Sequence, residues 1–168
     1  LTDSSNLREL HLNNNEVSDI SSLAALTQLS HLALWGNQVS DISVVRGLTQ
    51  LSHLGLWGNQ VSDISGLVGL TNLVELGLGF NEISDVSSLA GLTNLTELGL
   101  NHNQIGDISA LKELSQLKSL YLNGNEILDI SSLGSLTELT ELILGDNPIC
   151  ENWTSNLPNG LSFTDVCR

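Results

Sequence analysis

The 168-residue sequence has no methionine, only five lysine and arginine residues, and few aromatic residues (4%). A protein that binds nucleic acid neutralises the phosphates with lysine and arginine side chains. A formal net charge of −14 therefore argues against a nucleic acid, and likewise against an anionic membrane surface, as a partner. No apolar run approaches the ~18 residues of a membrane-spanning helix, so we expect no membrane insertion. A secretory signal and an initiator methionine are also absent, and we expect the chain to be processed or a fragment.

Leucine is abundant instead, with 36 residues, most of which recur at a fixed period of 22. Leucines stand three and five residues before each member of an asparagine column, and a valine or isoleucine stands two residues after it. The column is Asn15, Asn37, Asn59, Asn81, Asn103, Asn125 and Asn147. Seven copies in register, without insertion or deletion, match the leucine-rich repeat pattern L-x-x-L-x-L-x-x-N-x-I/V.

Individual copies, such as LTQLSHLALWGNQVSDIS and LTNLTELGLNHNQIGDIS, resemble the 22-residue repeats of internalin-like bacterial proteins. The resemblance covers residues 7–149. It implies an α/β solenoid: a horseshoe of seven leucine-rich repeats with a parallel concave β-sheet and 3₁₀ or short helical turns on the convex side. That family keeps its scaffold and varies its surface, so the resemblance does not identify a partner. The helical N-terminal cap and the immunoglobulin-like domain of internalins have no counterpart in this sequence.

Two further columns are expected to be structural. A buried asparagine amide satisfies backbone donors and acceptors at irregular corners. An aspartate begins each convex turn, at Asp19, Asp41, Asp63, Asp85, Asp107 and Asp129. We expect these carboxylates to cap the turns. A calcium ladder is the alternative, but the motif lacks a glycine-rich, multiply acidic loop.

The ends of the chain differ from the repeats. We predict a remnant of a preceding repeat or cap at 1–6, repeats 1–7 at 7–149, and a C-terminal cap at 150–168. The apolar residues of that cap are Trp153, Leu157, Leu161, Phe163 and Val166. We expect Cys150 and Cys167 to form a disulfide, which suits a secreted, cell-surface or periplasmic protein. Two free thiols in a cytosolic protein are the alternative.

Residues that face away from the buried leucines vary between copies, and the scaffold does not dictate them. They include all four histidines and most of the aromatic residues. Exposed aromatic residues cluster where something binds. A strip of Ala33, Gly55, Gly77 and Gly99 would form a shallow trough between an aromatic wall and a histidine/glutamate wall. The predicted ligand-binding residues are His31, Trp35, His53, Gly55, Trp57, Glu75, Gly77, Phe80, Glu97, Gly99, His102 and Tyr121.

These residues favour a non-catalytic recognition module that binds a protein, preferably one with a basic surface, on the concave face. The alternative is a carbohydrate-binding module, excised from a larger secreted enzyme, with a neutral glycan stacked on Trp35 and Trp57. A zinc site at His31, His53 and Glu75 is disfavoured because their backbones are collinear and no catalytic motif accompanies them. We expect no metal, no cofactor and no enzyme activity, and we expect a monomer.

Overall fold

The computed structural model describes residues 6–151 and 166–167. Seven three-residue strands form a single parallel sheet in sequence order. The strands are β1 (Glu9–His11), β2 (His31–Ala33), β3 (His53–Gly55), β4 (Glu75–Gly77), β5 (Glu97–Gly99), β6 (Ser119–Tyr121) and β7 (Glu141–Ile143). Each strand pairs with the equivalent residues one repeat later, so the 22-residue period of the sequence sets the register of the sheet.

A 3₁₀ turn lies between each pair of successive strands. The turns are Ser21–Ala25, Ser43–Gly47, Ser65–Leu67, Ser87–Leu89, Ser109–Glu113 and Ser131–Ser135. One short helix, α1 (Pro148–Glu151), follows β7 and crosses the expected boundary between repeats and cap. The leucine-rich repeat solenoid predicted from the sequence is confirmed.

The core is a stack of equivalent apolar side chains, one set from each coil. In the second coil, for example, Leu32 and Leu34 are buried from the strand, and Ile42 and Val45 are buried from the return path. Full burial of such a side chain stabilises the fold by about 1.5–3 kcal/mol. Because one coil has apolar side chains on a single side only, each coil needs its neighbours to exclude water.

The asparagine column connects neighbouring coils through their backbones. Asn125 Nδ2 donates to Leu100 O of the preceding coil (3.0 Å) and to Leu122 O of its own coil (2.9 Å), while its Oδ1 accepts the N–H of Ile105 (3.0 Å). The same three bonds occur at Asn37, Asn59, Asn81, Asn103 and Asn147. The structural role predicted for this column is confirmed at these six positions, whereas Asn15 is exposed and donates to Leu12 O and Asn13 O of its own coil.

The aspartate column caps the 3₁₀ turns. Asp85 Oδ1 accepts the N–H of Ser87 (2.8 Å), the first residue of its turn, and the five equivalent aspartates do the same. Each aspartate precedes the apolar residue at the N-cap position, Val86 in this coil, so the cap is an Asx-type bond rather than a bond from the N-cap residue itself. This backbone hydrogen bond lowers the pKa of the carboxyl of Asp85, because it stabilises the charged form.

At the C-terminal end, Cys150 and Cys167 form a disulfide. Val166 is fully buried, and its carbonyl oxygen accepts the N–H of Leu144 (2.6 Å). The other residues predicted for the cap core, at 153, 157, 161 and 163, lie outside the described residues, as do positions 1–5 of the predicted N-terminal remnant. Within the described ranges, the helical segments are too short and too polar to cross a bilayer.

Candidate binding site on the concave face

The concave face is the solvent-facing side of the sheet, and alternation along each strand determines which residues lie on it. In β4, Leu76 is 2% exposed and points into the core, so Glu75 and Gly77 face solvent. The predicted strand residues occupy equivalent places in β2 to β6. The aromatic residues other than Tyr121 come just after the strands, at the corner of each coil, and so does His102; Tyr121 is the last residue of β6.

The floor of the face is a run of small residues in register across four strands. Ala33 pairs with Gly55, Gly55 with Gly77, and Gly77 with Gly99. Above them lies a shallow cavity of about 360 Å³, which His31, His53, Trp57, Glu75 and Glu97 also line. We call this cavity the trough.

Larger side chains stand at both ends of this run. His11 occupies the floor column in β1 and Tyr121 occupies it in β6. The hydroxyl of Tyr121 donates to Glu141 Oε2 (2.7 Å). This hydrogen bond raises the pKa of the Tyr121 phenol, because the phenolate could not donate to the carboxylate. The small-residue floor is therefore limited to four strands.

On one side of the trough Trp57 forms the wall, and a run of contacting rings continues from it. The ring centroids of Trp57 and Phe80 are 4.8 Å apart, and those of Phe80 and His102 are 4.1 Å apart. Trp57 is 45% exposed and Phe80 is 43% exposed. The ring of Trp35, 39% exposed, lies instead beside the floor, with its Cδ1 3.8 Å from the place of a Cβ on Gly55. Trp57 therefore pairs with Phe80, while Trp35 stands one strand away beside the floor.

Sequence comparison missed the residues that make room for these rings. A Cβ on Gly79 would stand 2.8 Å from Cδ1 of Trp57 and 2.5 Å from Oδ1 of Asn101. A Cβ on Gly124 would stand 2.5 Å from Nδ1 of His102. Gly79 could have been suspected because most other copies have asparagine or tryptophan there.

Phe80 has a left-handed backbone conformation, with φ 55°. The position just before the asparagine column has positive φ in all seven copies, and the other residues there are Asn14, Gly36, Gly58, His102, Gly124 and Asp146. Glycine, asparagine and aspartate adopt this conformation readily, whereas a bulky residue there is a genuine outlier. The scaffold therefore does not favour phenylalanine at this position.

The opposite wall consists of two stacked imidazoles followed by two carboxylates. The rings of His31 and His53 are stacked with centroids 4.2 Å apart. Nε2 of His53 lies 3.5 Å from Oε1 of Glu75. Glu75 in turn pairs in register with Glu97, so two like charges are direct neighbours across the strands.

Serine hydroxyls hold the inner edge of the imidazole pair. Ser52 Oγ donates to Ser30 O (3.0 Å) and is hydrogen-bonded to Nδ1 of His53 (2.8 Å). Because the hydroxyl has one hydrogen and gives it to Ser30 O, we assign Nδ1 as the donor to Oγ; Nε2 of the neutral ring is then an acceptor beside the trough. Ser30 makes the equivalent pair of bonds with Arg8 O and with His31.

The histidines and glutamates of this wall do not converge as metal ligands. No group of three histidine, cysteine, aspartate or glutamate side chains is placed to hold a metal ion within residues 6–151 and 166–167. The arrangement offers acceptors along one wall and aromatic surface along the other.

Comparison with known proteins places this architecture in a family. A family model described as leucine-rich repeats (two copies) matches residues 5–48, 49–91 and 71–113. The chain belongs to the leucine-rich repeat family. Within the family it resembles the internalins, as its repeats predict, and leucine-rich repeat proteins of this kind are typically binding modules. A search of the curated proteins finds no significant match.

Solved leucine-rich repeat structures include two similar internalins of Listeria monocytogenes. An internalin (inlF) is 42% identical with a TM-score of 0.85, and internalin C2 is 41% identical with a TM-score of 0.84. The matches cover 87% and 85% of this chain but only 44% and 63% of those proteins. The leucine-rich repeat ectodomain of the plant receptor kinase GASSHO1/SCHENGEN3 from Arabidopsis thaliana, in complex with Casparian strip integrity factor 2, is 26% identical with a TM-score of 0.79 over 88% of this chain and 19% of the receptor.

Proposed function

We propose that the chain is a non-catalytic, extracellular recognition module that binds a partner protein through its concave face. The observation that carries this proposal is Phe80. Its ring is 43% exposed and its backbone is left-handed, so neither core packing nor backbone preference accounts for a phenylalanine there. A binding partner does account for it.

The surroundings of Phe80 have the chemistry of a protein interface. Trp57 contacts its ring, and aromatic anchors beside small residues are typical of interface hot spots. The trough beside them is open and shallow rather than an enclosed ligand pocket. Leucine-rich repeat ectodomains similar to this chain include one in complex with Casparian strip integrity factor 2.

The wider setting is part of the same proposal. We assign the repeats to 7–149 and a disulfide-closed cap to 150–168, and we place the protein outside the cytosol because the Cys150–Cys167 disulfide requires an oxidising compartment. We propose that the module acts as a monomer and that it comes from a bacterial protein similar to internalins.

Trp57→Ala tests the proposal against a matched control, Leu128→Ala. Both side chains are large, apolar and exposed, but Leu128 (70% exposed) lies outside the sheet. We expect Trp57→Ala to weaken binding of a captured partner by about 2 kcal/mol or more, measured by calorimetry. Neither variant should lower the melting temperature appreciably, since neither side chain is in the core.

A neutral glycan is the competing ligand, and the same variants decide between the two. We would titrate soluble β-glucan, mannan and xylan fragments and follow tryptophan fluorescence. If a fragment causes a saturable change in fluorescence and Trp57→Ala abolishes it, the ligand is a glycan and not a protein. Partner binding that Trp57→Ala and Leu128→Ala leave equally strong would reject the concave face.

A further inference from the structure

We propose that the trough holds an extended, cationic segment of the partner protein, with an arginine side chain placed among His53, Glu75 and Glu97. This inference rests on the proposed function, since it names the kind of segment that the concave face binds. It follows from three features of the trough: its charge, its hydrogen-bonding capacity and the dimensions of its floor.

The first feature is charge. None of the seven strands contains a lysine or an arginine, whereas four of them begin with glutamate: Glu9, Glu75, Glu97 and Glu141. Glu75 and Glu97 are neighbours on the last two of the four strands that form the floor, and both line the trough. Among the described side chains, the ion pairs include none to Glu97, and Glu75 has only the imidazole of His53. A cation on the partner would relieve the repulsion between the two carboxylates.

The second feature is hydrogen bonding. With Nδ1 of His53 donating to Ser52, Nε2 of the neutral ring and Oε1 of Glu75 are two acceptors 3.5 Å apart. A hydrogen-bond donor between them would satisfy both atoms. Glu97 adds further acceptors on the same wall. A guanidinium carries five N–H donors and no acceptor, and it is more weakly hydrated than an ammonium, so arginine fits this wall better than lysine does.

The third feature is the floor. A Cβ on Gly55, Gly77 or Gly99 would meet no atom closer than 3.8 Å, so nothing within the chain requires glycine at these positions. Glycine also weakens a strand by about 0.5–1 kcal/mol relative to alanine. An extended backbone that lies directly on the floor explains both facts, and Trp57 on the far wall can cover the aliphatic part of the arginine side chain.

The length of the floor sets the length of the segment. Ala33 to Gly99 spans three strand spacings, or ~14 Å, before His11 and Tyr121 close the ends. An extended chain rises ~3.3 Å per residue, so about four or five residues of the partner lie in the trough.

The experiment selects a library of random nonapeptides on the 168-residue chain and measures the dissociation constant of recovered peptides by tryptophan fluorescence. We expect recovered peptides to contain arginine, and we expect Glu75→Gln/Glu97→Gln to weaken them at least tenfold. The control Glu113→Gln/Glu138→Gln removes the same charge from exposed residues outside the sheet and should change affinity less than twofold. Gly77→Val should abolish binding without lowering the melting temperature, since Tyr121 and Ile143 occupy the same column.

Three results would overturn the cationic segment: no recovered peptide, recovered peptides without arginine or lysine, or equal losses in the two glutamine pairs. Partner binding that Trp57→Ala weakens but Glu75→Gln/Glu97→Gln does not would reject only this inference and keep the proposed function. Partner binding that neither variant weakens would reject both.

Discussion

Replacing Phe80 by glycine separates the demands of the scaffold from those of a partner. A left-handed conformation costs a non-glycine residue about 1–2 kcal/mol, which Phe80→Gly would recover. The same change removes two ring contacts, with Trp57 and with His102, each worth about 0.5–1.5 kcal/mol. These effects oppose each other, so we expect the free energy of unfolding to change by something between a gain of about 1 kcal/mol and a loss of about 2 kcal/mol, as measured by urea denaturation.

Binding should respond very differently. Loss of an aromatic anchor at an interface costs about 2 kcal/mol or more, roughly a 30-fold increase in the dissociation constant. Calorimetry with the captured partner measures that increase, and Phe80→Tyr, which keeps the ring, should retain most of the affinity. A loss of stability above 2 kcal/mol would make Phe80 a structural residue. An unchanged dissociation constant would remove the main support for the concave face.

The remaining predictions concern the scaffold. Asn125→Ala leaves the N–H of Ile105 and two carbonyls without partners in the core, so we expect urea denaturation to show a loss of about 3 kcal/mol with no change in ligand preference. The pKa of the Asp85 carboxyl is lower in the folded state, so its capping bond stabilises the fold above the unfolded pKa, and this stabilisation is lost as pH falls through the folded pKa. Asp85→Asn should therefore reduce the fall in melting temperature between pH 5 and pH 2. An identical fall in the variant would contradict this contribution of Asp85 to the pH dependence of stability. Replacing Cys150 and Cys167 by serine opens a loop with a sequence separation of 17 and should cost about 3 kcal/mol, whereas adding reductant to that double variant should have no further effect.

Sequence alone predicts the repeating part of this structure almost completely, because every repeat is subject to the same packing requirement. In the second to seventh coils, a leucine at the position of Leu76 is buried, and an asparagine at the position of Asn125 meets the same three backbone groups. The repeated copies therefore all show the same packing rule. The rule fixes the fold, the register and the orientation of each strand, and it identifies the face that the scaffold leaves free to vary.

A candidate site could be proposed in this way, but the geometry of its side chains could not be predicted. That Trp57 would contact Phe80 rather than Trp35 depends on ring orientations that no column of the repeat specifies. The left-handed conformation of Phe80 is equally hard to predict from its own residue type. The only indication in the sequence is that three other copies have glycine at this position and two have asparagine or aspartate. The bond from Ser52 that fixes the acceptor role of His53 arises between two adjacent residues that a strand pattern would place on opposite faces.

Glycine illustrates why sequence and structure are both needed to interpret such a surface. In the sequence, Gly77 and Gly79 are two residues apart in the same repeat, and nothing distinguishes their roles. In the structure, a Cβ on Gly79 would stand 2.8 Å from Cδ1 of Trp57 and 2.5 Å from Oδ1 of Asn101, so these side chains would have to move, whereas a Cβ on Gly77 meets nothing closer than 4.0 Å. Replacing Gly79 by alanine should therefore displace Trp57 and weaken binding indirectly. Replacing Gly77 can affect only what approaches from outside, which makes position 77 the cleaner probe of a ligand.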